Sequence, residues 1–194
     1  MHIENFIETY DNVLPKKVLC NLIRYCNVVD FEKASILQEP GSESFQTVNF
    51  NVRQTYMKPL LNIVPSMTEV HWTNLLTNRF NECYSKYLHK FSPKNHVAIQ
   101  DIQILKYEKG GFYEWHVDHC TQISRTLSAI YILNNDYEGG NLCFKFGDKE
   151  KVMDVVPNRI IVWPSNFMYL HTVKPVTKGT RYSLVCWVKG PNFS

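Results

Sequence analysis

The residues of this chain with the clearest chemistry are His116 and Asp118, two positions apart, and His171, 53 positions after Asp118. If the segment around His116 is extended, alternation along the strand puts His116 and Asp118 on one face. Two imidazoles and one carboxylate on one side of a metal leave the other side open, which suits non-haem ferrous iron; a thiolate set would suit zinc. Ten residues after His171 comes Arg181, and Ser183 is the next residue on the same strand face. A planar guanidinium beside a hydroxyl matches a carboxylate, through charge-assisted hydrogen bonds of about 1.5–3 kcal/mol each. Together the five residues describe a metal that chelates a 2-oxo acid at one end while Arg181 holds the far carboxylate. An isolated His-x-Asp pair is a weak signal, since surface histidines beside acids are common. The order of all five within strand-like sequence is what favours metal and carboxylate binding over coincidence.

The elements that must position these residues follow from the hydrophobic patterning. After Pro93 the chain breaks into short runs rich in β-branched and aromatic residues: 97–107, 112–118, 125–134, 141–146, 152–156, 159–163, 169–175 and 181–188. Turn formers separate them, including Gly110-Gly111, Gly139-Gly140, Gly147-Asp148, Pro157-Asn158 and Lys178-Gly179. Short strands at near-regular spacing predict an antiparallel sandwich or barrel of the jelly-roll kind, which brings sequence-distant strands together. The first half reads differently. From Pro15 to about Asn27, Val18, Leu19, Leu22, Ile23 and Cys26 recur at helical spacing, with Pro15 suited to the first helical position. A longer helical pattern runs from about Ser66 to Phe91, and residues 38–57 read as loop with a short extended piece near 47–52. Helices from this half would cover one sheet. The fold class is α+β, a single domain over 1–194, with residues 1–95 as mainly helical support and 96–190 as the β core carrying the site.

The chain has 194 residues with 44% hydrophobic composition, enough for a substantial core in one domain. Its formal charge of +3 is too small to argue for a general nucleic-acid-binding surface. No apolar run approaches the ~18 residues of a membrane span, and the N-terminus lacks the basic-then-apolar pattern of a signal peptide. A cytoplasmic protein is expected. Six cysteines without a C-x-x-C pair are then read as reduced thiols.

The motifs extend beyond the ligands. They include Tyr107-Glu-Lys-Gly-Gly-Phe-Tyr113-Glu-Trp-His116-Val-Asp118, Arg125-Thr-Leu-Ser-Ala-Ile-Tyr-Ile-Leu-Asn134, Tyr137-Glu-Gly-Gly140-Asn-Leu-Cys-Phe144 and His171-Thr-Val-Lys-Pro-Val-Thr-Lys-Gly-Thr-Arg181-Tyr-Ser183. Over roughly its second half the sequence resembles the Fe(II)/2-oxoglutarate-dependent oxygenases of the prolyl 4-hydroxylase-like branch. The resemblance implies a double-stranded β-helix with flanking N-terminal helices. It also implies ferrous iron, 2-oxoglutarate as cosubstrate, dioxygen, and ascorbate as an accessory reductant. His116, Asp118 and His171 would hold the metal and carry catalysis, and Arg181 with Ser183 would bind the cosubstrate. Tyr107 and Tyr113 match positions lining the cosubstrate and substrate end of the pocket. The acceptor implied is a prolyl residue in a peptide or protein, with 2-oxoglutarate decarboxylated to succinate. One departure stands out: where the family often has a tyrosine for the distal carboxylate, this chain has Ile132, with Tyr131 one position earlier. A one-residue step reverses the face of a strand, which leaves Ser183 as the better candidate for the missing hydrogen bond.

Other readings remain open. Nucleic-acid demethylases share the triad but typically carry a second arginine six residues after the first, where this chain has Trp187. A small-molecule oxygenase, a metal- or 2-oxoglutarate-binding module without turnover, and a zinc-binding structural protein are the further alternatives. His119 would point away from the Asp118 face, Cys120 reads as a packed thiol near the pocket mouth, and Trp163 and Trp187 read as core. Gly139-Gly140 reads as a turn. The oligomeric state has no sequence signal.

Overall fold

The sequence patterning builds two main antiparallel sheets and two small two-stranded ones, whose arrangement is given by a computed structural model that describes residues 2–37, 46–61, 66–92 and 94–190. In the first half lie β1 (Glu8–Tyr10), α1 (Lys16–Val28), β2 (Glu32–Lys33), β3 (Ile36–Leu37), β4 (Gln46–Thr47), β5 (Arg53–Gln54), β6 (Tyr56–Pro59) and α2 (Met67–Phe91). The second half supplies β7 (Ala98–Tyr107), β8 (Phe112–His116), β9 (Leu127–Ile132), β10 (Glu138–Gly139), β11 (Leu142–Phe146), β12 (Lys149–Val152), β13 (Arg159–Pro164), β14 (Leu170–Val173), β15 (Val176–Lys178) and β16 (Arg181–Lys189). The larger sheet runs β1-β13-β9-β16-β7-β6-β2 and the smaller β12-β11-β14-β8-β5, while β3-β4 and β10-β15 form the two-stranded ones. This is the jelly-roll architecture of a double-stranded β-helix, with strands distant in sequence lying side by side.

Two cores follow from the alternation of side chains along the strands. On β16, Tyr182, Leu184, Cys186 and Val188 join the core beneath the helices, while Val185 and Trp187 join the core between the sheets. Every residue from Arg181 to Val188 is therefore buried. Helix α1 presents Leu19, Leu22 and Cys26 to the outer face of the larger sheet, and α2 presents Trp72, Leu76, Phe80, Cys83, Tyr84 and Tyr87. Each such aliphatic or aromatic side chain contributes roughly 1.5–3 kcal/mol by leaving water. Polar ties fix the alignment: Tyr84 Oη donates to the Cys186 carbonyl at 2.7 Å, and Tyr87 Oη to the Phe6 carbonyl at 2.8 Å. α2 begins with a capping box, in which Ser66 Oγ accepts from the Glu69 N–H and the Glu69 carboxylate accepts from the Ser66 N–H.

Some boundaries differ from the sequence reading. Pro15 is the N-cap of α1, one position before the first helical residue. The strand expected over 152–156 lies at Lys149–Val152, because Gly147, at φ +61°, turns the chain at once and Phe146 pairs with Lys149. Short strands flank the expected extended piece at 47–52, and the expected loop over 38–45 lies outside the described residues. Among the described residues no helix is long and apolar enough to cross a membrane. All six cysteines are free thiols.

Candidate metal and carboxylate site

The two histidines of the predicted triad are direct cross-strand neighbours, since β8 and β14 pair antiparallel with His116 opposite His171. Asp118 lies just past the end of β8 and returns to the same place. One potential ligand atom from each of the three residues lies within 4.8 Å of the others. His171 Nε2 is 3.5 Å from Asp118 Oδ2, and His116 Nε2 is 3.9 Å from Asp118 Oδ1. In both imidazoles Nδ1 sits against the carbonyl two residues earlier: Glu114 for His116, at 2.8 Å, and Tyr169 for His171, at 2.9 Å. A neutral ring that donates from Nδ1 keeps its Nε2 lone pair free, so this local bond selects the metal-binding tautomer.

The electrostatics also favour a cation. Burial, reinforced by His171, pushes the His116 pKa down to about 3, so this imidazole is neutral at physiological pH. Burial alone would raise the Asp118 pKa, but His171, His116, Arg125 and the Ser128 hydroxyl outweigh it and hold the carboxyl below its ordinary value. Ser128 Oγ donates to Asp118 Oδ2 at 2.6 Å and is itself 2.7 Å from Ser165 Oγ. Two lone pairs and a carboxylate thus converge within the protein, a donor set that fits Fe(II) and keeps a face open.

On the facing sheet, Arg181 is 1% exposed, and no carboxylate among the described residues forms an ion pair with it. Its Nη1 donates to Ser183 Oγ at 2.9 Å, its Cζ lies 4.9 Å from the Tyr107 ring centre, and its buried Nε lacks a hydrogen-bond partner. The buried Tyr137 hydroxyl also lacks one of good geometry, and burial raises its pKa against the opposing pull of the neighbouring Arg181, keeping it neutral. A desolvated, unpaired guanidinium beside an idle phenol is a site for an anion. Gly140 permits this packing: at φ +63°, an added Cβ would lie 3.0 Å from Arg181 Cδ and from Val176 Cγ2.

The structure brings together His116, Asp118 and His171, and places Arg181, Ser183 and Tyr107 in one group. Tyr113 stacks on His116 with ring centres 3.5 Å apart. Tyr131 faces the helices, where its hydroxyl donates to Asn158 Oδ1 at 2.6 Å, while Ile132 joins the core between the sheets. His119 Nδ1 lies 2.9 Å from the Arg125 carbonyl, and Cys120 Sγ accepts from the Ile123 N–H, so each is used locally. Trp163 packs in the core against His171, whereas Trp187, read from sequence as core, also forms a wall of the open cleft. That cleft, about 300 Å³, is bounded by Arg53, Tyr113, His116, Asp118, Arg125 and Trp187 among others. Sequence reasoning missed Ser128, Tyr137, Arg53 and Arg125. Ser128 and Tyr137 sat inside quoted motifs without a role, and nothing local marked Arg53.

Residues 102–189 match the family described as the 2OG-Fe(II) oxygenase superfamily. The match covers the strand-rich second half of the chain, which carries His116, Asp118, His171 and Arg181. The chain is similar in sequence to PKHD-type hydroxylases and in structure to prolyl hydroxylases. A PKHD-type hydroxylase of Idiomarina loihiensis is 34% identical over 105 residues, covering 49% of this chain and 46% of that protein. A PKHD-type hydroxylase of Gloeothece citriformis is 35% identical over 97 residues, covering 47% and 43%. The chain thus spans less than half the length of these curated relatives. Among solved structures, a Pseudomonas putida prolyl-4-hydroxylase superposes with a TM-score of 0.71 at 19% identity, covering 94% of this chain and 92% of that one. A Trichoplax adhaerens prolyl hydroxylase, solved with a hypoxia inducible factor peptide fragment, gives 0.75 at 18% identity, covering 95% and 84%. These superpositions establish the double-stranded β-helix fold of the chain.

Proposed function

We propose that the chain acts as one Fe(II)- and 2-oxoglutarate-dependent dioxygenase unit that hydroxylates a C–H bond, with a prolyl residue of a peptide or protein as acceptor. The observation that carries this is a convergent His116-Asp118-His171 donor set together with a buried, unpaired Arg181 on the facing sheet. His116, Asp118 and His171 hold the iron, whose chemistry when bound is to couple decarboxylation of 2-oxoglutarate to succinate with hydroxylation by dioxygen. Arg181 receives the distal carboxylate of the cosubstrate, with Ser183 orienting the guanidinium and Tyr137 as a further donor. Tyr107 packs under that guanidinium and Tyr113 holds the His116 ring in plane. Ser128 aims Asp118 through its hydrogen bond, and the apolar core between the sheets keeps bulk water from the reacting end. Ascorbate serves as accessory reductant, and a cytoplasmic setting would keep both thiols and ferrous iron reduced. The peptide acceptor is supported by the peptide-bound Trichoplax structure, and the mild charge gives no support to a nucleic-acid substrate.

The test is incubation of the protein with ferrous iron, 2-oxoglutarate and a proline-rich peptide library. Succinate release and a one-oxygen mass gain on proline-containing peptides are expected. Iron-dependent succinate with no modified peptide would remove the prolyl acceptor, and no iron-dependent succinate would remove the oxygenase.

A further inference from the structure

The oxygenase reading uses Asp118 and Arg181 but leaves a second buried cation unexplained. Arg53 lies on β5, is 8% exposed, and lines the open cleft with His116 and Asp118. Its Nη1 donates to the Ser35 carbonyl at 3.0 Å, yet its Nε is buried without a hydrogen-bond partner. Among the described residues no carboxylate forms an ion pair with it. Arg125, across the same cleft, differs: its Nη1 is 3.7 Å from Asp118 Oδ1, Asp101 acts on it as well, and it lies 3.7 Å from the Trp187 ring centre. Among the described residues, Arg53 is the one of these two cleft arginines that lacks a balancing acid.

Arg53 is also close to the reacting end. It pairs across the sheet with Tyr113, and its Cζ lies 4.6 Å from the centre of the Tyr113 ring. Tyr113 in turn stacks on His116 at an interplanar angle of 19°. One aromatic ring therefore separates this guanidinium from a proposed metal ligand. A neutral carbonyl could satisfy the idle N–H but would leave the desolvated charge unbalanced. The Nε side of a guanidinium presents two parallel N–H donors, which match the two oxygens of a carboxylate. A single positive charge balances a single negative one, which favours a carboxylate over a phosphate dianion.

We propose that Arg53 anchors an acceptor subsite for a carboxylate, so that the substrate is an acidic peptide rather than a neutral one. This rests on the oxygenase reading above and names the chemistry of its acceptor. The carboxylate comes from an Asp or Glu side chain near the oxidised proline or from the peptide's C-terminus.

The test compares matched peptides that differ only as Asp against Asn beside proline, and as C-terminal carboxylate against amide. Apparent KM is read from peptide-stimulated succinate release in the wild type, Arg53→Gln and Arg53→Lys. In the wild type an acid is expected to lower KM about tenfold or more relative to its amide, the scale of one charge-assisted hydrogen bond. Arg53→Gln should reduce that ratio below about twofold, and Arg53→Lys should retain part of it. Because each ratio is taken within one preparation, a folding defect affects both peptides and cancels. A preference that follows the side chain or the terminus identifies the source of the carboxylate. Equal KM values in the wild type, no stimulation by any acid, or a ratio that survives Arg53→Gln overturns the subsite while iron-dependent succinate formation keeps the oxygenase. Absence of iron-dependent succinate in the wild type removes both.

Discussion

The unpaired charge of Arg181 makes an unusual prediction, that removing a conspicuous binding residue will not weaken the fold. Arg181 is 1% exposed with an unsatisfied Nε and no acid paired to it among the described residues, so the ligand-free protein carries a desolvated cation there. Arg181→Met alone would orphan the Ser183 hydroxyl, which is 0% exposed, so the appropriate variant is Arg181→Met with Ser183→Ala. A buried polar group left unmatched costs about 1–3 kcal/mol, and apolar replacement of buried charged groups is often neutral or stabilising by about 1–4 kcal/mol. The ligand-free double variant should melt no lower than the wild type. At a 2-oxoglutarate concentration of about 100 Kd the wild type should gain about 2.7 kcal/mol, which for a chain of this size is a shift of roughly 5–10 °C. The variant should show no such shift. Differential scanning fluorimetry with and without 2-oxoglutarate, under nitrogen with Mn(II) in place of iron, provides the measurement. A ligand-free variant melting more than about 5 °C below the wild type, or a retained shift, would refute the reasoning.

Three further outcomes follow from other contacts. Ser128→Ala removes the 2.6 Å bond to Asp118 and should weaken iron dependence of turnover by about 10–100-fold, read from half-saturation with Fe(II). Asn158→Ala should destabilise by about 2–4 kcal/mol in urea unfolding, because Asn158 accepts from the Leu14 N–H, donates to the Leu14 carbonyl, accepts from Tyr131, and sits at φ +67°. Glu69 lies 2.6 Å from Lys58 and caps α2, and the Lys58 and Ser66 contacts hold its pKa below the ordinary carboxylate value. A lowered folded pKa contributes stability that is present above the unfolded pKa and is lost as pH falls through the folded one. Glu69→Gln should therefore cost about 1 kcal/mol at pH 7, with the difference from wild type shrinking as pH falls through the lowered folded pKa of Glu69.

The β core was legible because its strands are bounded by glycines and because His116, Asp118, His171 and Arg181 each lie in a run of recognisable texture. The reversed orientation of Tyr131 was equally readable, since strand alternation allows only one face. The first half was harder. β2 to β5 are two residues each, too short for any periodicity, and their pairing is set by sheet edges formed from distant sequence. Arg53 has a role only because β5 lies beside β8, and Ser128 only because β9 passes beneath Asp118. Tyr137 gained meaning from the lack of a partner, a property of the packed interior that no local pattern encodes.

The pairing of His116 with His171 across β8 and β14 also bears on local mechanics. A cation held by both rings would clamp two adjacent strands of the smaller sheet at a point where their register already shifts, between His171 and Val173. Loading the metal should then suppress opening of this part of the sheet more than it suppresses opening of the helix-covered one. Amide protons of β8 and β14 would exchange more slowly in the loaded protein, while those of β7 and β16 keep the protection their buried faces already give them.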